Sequence, residues 1–342
     1  MRSKYYNTMK LSRFLYLFYY LRKLDRDRLK LFLAYASEAC GKSKISILSD
    51  SICSVLIYNI SILDYFYFRF FQLDKDQRRQ WAGTGFLYEY QLKMNPKDSR
   101  DLLEDKNKFL RHFSSFIDRK YGDIARLSSD SVLLKALLAN DSGKLVLKNS
   151  HGQVGAEVEV VSCEQFSPED LLQYMRKHSY NLAEEYVIQH PSIMELSASG
   201  LNTVRIFTQL HMNEVVYLGA RFRISVNSPV DNMGAGNLAA SVNIETGEVN
   251  GPGVYSDITK TDENIHPVSG KSIYGFKIPH WKALLEMAKQ AALHSPENRS
   301  VGWDIAVIKD GPELIEGNHN WCKLLWQLPV KEGMKSELEK YF

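Results

Sequence analysis

VGWDIAVIKDGPELIEGNHNW, residues 301–321, reads as one β-hairpin. VGWDIAVI has the β-branched and aromatic content of a strand, KDG signals a turn, and PELIEGN is the returning strand. A three-residue loop of Lys309, Asp310 and Gly311, with Gly311 in the left-handed position such loops favour, sets Asp304 opposite Glu316. Asn318 lies two residues on and points to the same face. Two carboxylates and an amide oxygen on one face form a hard oxygen site suited to Mg²⁺. The same residues also read as a surface hairpin with solvated acids and a Gly-Asn turn, and the stretch alone does not choose between the two.

Outward from the hairpin the pattern is rich in strands. NTVRIFTQL, VVYLGARFRISV and LAASVNIETGEV carry strand periodicity, with turn signals at MNE and ETGE. Arg221 and Arg223 are two apart and share a strand face, and Arg205 sits on the preceding strand. Three guanidiniums beside an oxygen site suit phosphate or carboxylate recognition, or serve as surface salt-bridge partners. VDNMGAGNLAAS, with Asn232, Gly234 and Gly236, reads as a mobile loop, and IPHWKALLEMAKQAALH as an amphipathic packing helix.

Further upstream, KLVLKNSHGQVGAEVEVV is a strand ending in Lys148, a loop containing Gly152 and Gly155, and a second strand. Such a loop can close over phosphates with its backbone donors while Lys148 supplies a point charge. It matches neither a P-loop nor the dinucleotide fingerprint, because no helix follows directly. Lys106 falls in the first turn of a helix capped at Glu104 or Asp105, where backbone N–H groups and the helix dipole favour an anion. SPEDLLQYMRKH is a short helix with Ser167 as N-cap and Pro168 at its first position. The strand after it carries Glu184 and Glu185, which point to opposite faces, so at most one meets a given pocket.

Composition sets the outer bounds. The chain has 342 residues, 44% apolar and 24% charged, ample for a large core or two domains. Cys40, Cys53, Cys163 and Cys322 lack zinc or redox spacing and read as reduced thiols of a cytoplasmic protein. The net charge of +3 hides an asymmetry: residues 1–44 hold eleven Lys and Arg against Asp25, Asp27 and Glu38. That basic, aromatic leader rests on an anionic membrane surface or packs its apolar face on its own protein. Its apolar run is broken by charge and no small-residue cleavage site follows, so a signal peptide is not expected. Residues 1–80 read as helices broken at Gly41, with Tyr65, Phe66, Tyr67, Phe68, Phe70 and Phe71 as core. The uncharged run from Ser51 to Leu63 is too short to span a bilayer and reads as a buried helix.

The order of these parts resembles the ATP-grasp superfamily: a helix-start lysine, a strand lysine with a glycine loop, a Glu-Glu strand, arginines, then Asp…Glu-x-Asn. DKNKF, LKNSHGQVG, EEYVIQHP, LNTVRIFT, VDNMGAG, GWDIAV and LIEGNHNW resemble its sugar-transfer-associated branch, over roughly Trp81 to Leu328. The resemblance implies an α+β ATP-grasp fold, with two α+β subdomains gripping ATP. A helical region (residues 1–80) precedes the ATP-grasp domain (81–342), whose lid subdomain spans about 130–190. It implies that Lys106 and Lys148 meet nucleotide phosphates, that residues 149–156 with Gly152 and Gly155 cover them, and that Glu184, Glu185, Val187 and Ile188 line the adenine hinge. Asp304, Glu316 and Asn318 match Mg²⁺ ligands, and Arg221 and Arg223, with Arg205, the neighbours of the transferred phosphoryl group. A ribose-binding acid is not evident after Gln189 and His190.

The implied activity is an ADP-producing carboxylate–amine ligase that uses ATP and Mg²⁺ and works through an acyl phosphate. The branch implies a sugar acid or glycan carboxylate and an amine in surface polysaccharide assembly. No nucleic-acid partner is expected. A glycosyltransferase or the inner face of the membrane is the expected contact of the leader. Two alternatives stand beside this reading: a phosphotransferase on the same scaffold, and a nucleotide-responsive interaction protein.

Overall fold

Two antiparallel sheets organise the computed structural model, which describes Arg22, residues 24–150 and residues 158–342. The first 21 residues of the basic leader and the loop residues Gly152 and Gly155 lie outside the described residues. The smaller sheet comprises β1 (Tyr121–Asp123), β2 (Lys144–Lys148), β3 (Val158–Ser162) and β4 (Leu182–Glu185), in the order β1-β4-β2-β3. The larger comprises β5 (Thr203–His211), β6 (Glu214–Ile224), β7 (Leu238–Val242), β8 (Ser300–Ile308) and β9 (Gly311–Asn318), in the order β7-β6-β5-β8-β9. Every strand expected from the sequence is present.

The two faces of the larger sheet follow from the period of two along β8. Val301, Trp303, Ile305 and Val307 share one cluster with Val204, Ile206 and Phe222 and with Trp281, Leu284, Ala288 and Ala291 of the helix Trp281–His294. Truncating the fully buried Trp303 would cost about 3–5 kcal/mol through lost burial and a cavity. Gly302, Asp304 and Ala306 take the opposite face, beside Arg205 and Thr203 of β5. A Cβ on Gly302 would lie 3.0 Å from the Trp321 Cβ and 3.2 Å from the Arg205 Cδ, so glycine makes room for the arginine.

The hairpin reaches the expected pairing by a different route. Ile308 pairs with Gly311, so the loop is the two residues Lys309 and Asp310. Gly311 has φ 159, which is close to extended backbone, and the three-residue loop with a left-handed glycine is not formed. A two-residue loop alone would place Ile315 opposite Asp304. The register shifts between Asp304 and Ile305, so that Ile305 pairs with Leu314 and Asp304 with Glu316. Ile315 is the extra residue of a β-bulge, and the bulge restores the acid to its place.

The helical region follows its caps. Gly41, at φ 65, ends the helix Arg26–Cys40, and the Ser43 side chain accepts from Ser46 N to start the helix Lys44–Tyr58. The uncharged run from Ser51 to Leu63 is not one buried helix. Asn59 adopts the left-handed conformation and Ser61 caps the next helix, Ile62–Tyr67, while Ile52 and Ile57 are exposed. The six aromatic residues expected in the core are all buried. They pack with Ile258, Leu324 and Leu328, so this region shares its core with the C-terminal segment. A buried ion pair reinforces the seam: Lys323 Nζ lies 3.1 Å from Asp64 Oδ1, while Asp64 Oδ2 accepts from Ser61 N and Thr84 N. Among the described residues no helix is long and apolar enough to cross a membrane.

Candidate functional site

Asp304 sits at the centre of a buried charge cluster on the second face of the larger sheet, opposite the Trp303 cluster. Register places Arg205 opposite it on β5 and Glu316 opposite it on β9. Arg205 donates to both carboxylate oxygens of Asp304, and Arg223 Nη1 adds a second guanidinium to Oδ2 at 2.6 Å. Arg223 Nη2 also meets Asp231 Oδ1 at 2.6 Å, and Asp231 Oδ2 accepts from Thr203 N and Oγ1. Burial pushes the Asp304 carboxyl up, but Arg205 and Arg223 overcome it and hold the group well below the usual carboxylate range. For Arg223, burial is outweighed by Asp231 and Asp304, which raise its affinity for the proton. Asp231 is pushed up by burial, with Arg223 opposing.

Glu316 and Asn318 complete the oxygen set. The Glu316 side chain is 46% exposed, lies 3.6 Å from Arg205 Nη2, and accepts from Asn318 Nδ2 at 3.2 Å. Desolvation and the neighbouring Asp304 charge raise its carboxyl. Two carboxylates and an amide oxygen on one face fit a hard divalent cation by donor chemistry. Among the described residues no group of three or more His, Cys, Asp or Glu side chains is placed to hold a metal ion. Next to it, His319 Nε2 meets Glu104 Oε1 at 2.7 Å.

Arg221 does not join the cluster. It lies opposite Arg205 in the ladder, yet its guanidinium turns toward the helix Lys323–Gln327 and donates to the carbonyl oxygens of Trp326 and Ala220. Burial without a carboxylate lowers it to about 9. Sharing a strand face fixes where a long side chain starts, not which way it runs. The VDNMGAG stretch likewise departs from a mobile loop. Asp231 anchors its start as described, and buried Asn237 holds its end by accepting from Val226 N and donating to Val230 O.

A second cluster lies on the smaller sheet. Lys148, at the end of β2, places Nζ 2.8 Å from Glu184 Oε1 on β4. Arg119 Nε donates to Glu184 Oε2 at 2.7 Å, and its Nη1 to Glu313 Oε1 at 2.7 Å and Leu314 O at 2.8 Å. Burial raises Glu184, but Lys148 and then Arg119 bring its carboxyl down to about 2. For Arg119, burial is opposed and exceeded by Glu184 and Glu313. Glu185 points the other way, as strand alternation requires, and pairs with Lys120 at 2.8 Å. Ile188 is 56% exposed in the segment that follows β4.

Lys106 is brought to the same stem as Lys148. Its Nζ lies 3.3 Å from Asn149 O and 3.4 Å from Ser150 O, just beyond β2. The helix Lys106–His112 does not offer its N-terminus to an anion as expected. Its cap Asp105 already accepts from Asn107 N and Lys108 N, and Lys106 N donates to Ser150 O. Arg119, Asp231 and Glu313 were not evident in the sequence. Arg119 lies in an irregular segment without period or motif, Asp231 sits among turn residues, and Glu313 is a strand acid whose alternation gives no sign of its partner.

The architecture is a mixed α+β one of antiparallel sheets preceded by a helical region, and it is that of an ATP-grasp protein. The chain belongs to the sugar-transfer associated ATP-grasp family, whose description matches residues 86–341. Similar solved structures include an L-amino acid ligase from Bacillus licheniformis (13% identity, 69% of this chain and 49% of that one, TM-score 0.40). Biotin carboxylase from Campylobacter jejuni is similar at 15% identity over 76% of this chain and 54% of that one, with TM-score 0.46. D-alanine–D-alanine ligase from Bacillus anthracis is similar at 13% identity over 70% and 67%, with TM-score 0.40. The chain spans about half the length of the first two. No curated protein sequence matches it.

Proposed function

We propose that the chain is an ATP-dependent carboxylate–amine ligase that modifies a sugar acid or glycan in surface polysaccharide assembly. The observation that carries this reading is the convergence of Arg205 and Arg223 on Asp304, beside the oxygens of Glu316 and Asn318. Phosphoryl transfer needs charge neutralisation and alignment more than covalent help, and this face supplies fixed cations next to oxygen ligands.

In this reading Lys106 and Lys148 meet the nucleotide phosphates, and the backbone of Val187 and Ile188 meets the base. Asp304, Glu316 and Asn318 hold Mg²⁺, which when bound neutralises phosphate charge. Arg205 and Arg223 orient the transferred phosphoryl group. The substrate carboxylate oxygen attacks the γ-phosphorus, the bond to the ADP oxygen breaks, and an acyl phosphate forms. The amine nitrogen then attacks the acyl carbon, phosphate leaves with the bonding pair, and the nitrogen loses a proton. The sugar-transfer association of the family supports the glycan context.

The test is incubation with ATP, Mg²⁺ and candidate sugar acids, with hydroxylamine in place of the amine. ADP release that requires the carboxylate, together with a hydroxamate product, is expected. A stable phosphorylated product that needs no second nucleophile would instead make the protein a phosphotransferase. ADP release without an acyl product for every carboxylate tried would remove the ligase reading.

A further inference from the structure

The chain enters the smaller sheet through residues 117–120, which follow the short helical turn Ser114–Phe116, and passes from it to the larger sheet once, after β4. After β4, His190 N donates to Val307 O at 2.7 Å and Gln189 bridges to Ile308, while the buried Gln189 side chain accepts from Asn202 N and donates to Gly200 O, so this crossing is fastened to the larger sheet by backbone and by a neutral side chain. The entering segment, residues 117–120, leads into β1 and is fastened to the larger sheet by a buried charged side chain. Arg119 forks between Glu184 of β4 and Glu313 of β9, and the Glu313 carboxylate also accepts from Asp118 N and Arg119 N. Arg119, Glu184 and Glu313 are all at least 92% buried.

The chain of charges is therefore Glu313, Arg119, Glu184, Lys148, running from the larger sheet to the smaller. Both ends lie on strands that carry the ATP site in the reading above. Glu313 is three residues before Glu316 on β9, and Lys148 closes β2. A lysine is a point charge on a flexible stem, so its location depends on what holds it. Glu184 holds Lys148 through one oxygen, and Arg119 holds Glu184 through the other. A buried ionic chain of this kind gives little net stability over an apolar core of the same shape. What it does supply is a fixed geometry between two bodies.

We infer that Arg119 is a positioning residue, which sets Lys148 relative to the oxygen ligands on β9 by locking Glu184 to Glu313 across the two sheets. It touches neither ATP nor substrate and acts through Lys148. The inference rests on the reading that Lys148 meets nucleotide phosphates. Arg119 has a second effect of the same sign. By sharing the charge of Glu184, it leaves Lys148 with positive charge for a phosphate. R119K keeps the charge but loses the fork, because one ammonium does not reproduce two separated, directed donors.

The experiment is a double-mutant cycle on ATP affinity with the full chain, measured by calorimetric titration of R119K, K148M, the double variant and the unaltered protein. K148M alone tests the underlying reading: unchanged affinity would show that Lys148 does not meet phosphate, and the inference would fall with it. If K148M weakens ATP, R119K is expected to weaken it about tenfold in the unaltered background and less than about threefold in the K148M background. A purely structural role would give equal losses in both backgrounds. Equal losses, or no loss in either, would overturn the positioning role while leaving the Lys148 reading intact. Should R119K fail to fold, E313Q takes its place in the same cycle with the same expectations, since it loosens the β9 end of the tether.

Discussion

Asp304 and Glu184 are built alike and held differently. Each is a buried carboxylate shared between two cations, Arg205 and Arg223 for the first, Lys148 and Arg119 for the second. The partners of Asp304 stand on β5 and β6 of its own sheet, where the backbone ladder sets the point from which each side chain starts. One partner of Glu184 comes from the entering segment, which is tied to the other sheet through Glu313. The first cluster is thus fixed by register, and the second fixes the relation between two sheets. The difference separates a rigid platform from a joint.

The largest effect is expected where the platform loses a shared cation. R223M leaves Asp231 and Asp304 buried with fewer counter-charges, and breaking such a network costs about 3–5 kcal/mol. R221M, two residues away, removes a buried guanidinium that serves only neutral acceptors. It leaves the Trp326 carbonyl without its partner but relieves an uncompensated charge, so a loss below about 2 kcal/mol is expected. Urea unfolding of both variants, with ADP release measured beside it, gives the comparison. Equal losses for the two would mean that Arg221 shares the role of Arg223 despite its separate partners.

How much of this was legible in the sequence follows the same division. Alternation along one strand placed Asp304 on a face, and hairpin pairing placed Glu316 opposite it, because both rest on the period of two. The loop length was misread and the bulge at Ile315 compensated, so the pairing survived for a reason the sequence did not display. Arg221 failed because alternation governs Cβ direction and says nothing about a guanidinium several bonds further out. Lys148 and Glu184 were visible as strand residues, but their pairing needs β2 and β4 to be neighbours. Arg119 had no signal at all: its meaning comes from two sheets meeting around an irregular segment.

The joint is expected to respond to acid. The Glu184 carboxyl sits at about 2 in the folded chain against the usual 4.5, so the unfolded chain binds its proton first as pH falls. Its contribution is therefore fully present above about pH 4.5 and is lost as pH drops toward 2, on the order of 3 kcal/mol in all. Chemical unfolding of the unaltered protein and E184Q across that window checks the sign. The unaltered protein should lose stability more steeply than E184Q, because the glutamine does not titrate. Parallel curves would mean that Lys148 and Arg119 do not hold the charged form.

The smallest effect is expected next door, at Glu185. Its carboxylate accepts from Lys120 N at 2.7 Å and meets Lys120 Nζ at 2.8 Å, and that lysine side chain is half exposed. Screened pairs of this kind contribute about 0–1 kcal/mol, and glutamine retains one acceptor for the backbone donor. E185Q should therefore shift stability by less than about 1 kcal/mol and leave ATP affinity within about threefold, while E184Q, which disturbs Lys148, weakens ATP strongly. The pair of variants decides which of two adjacent acids belongs to the nucleotide. If E185Q weakened ATP as much as E184Q, the exposed side of β4 would have to contribute to the site, and Glu184 would be reduced to a strut between the sheets.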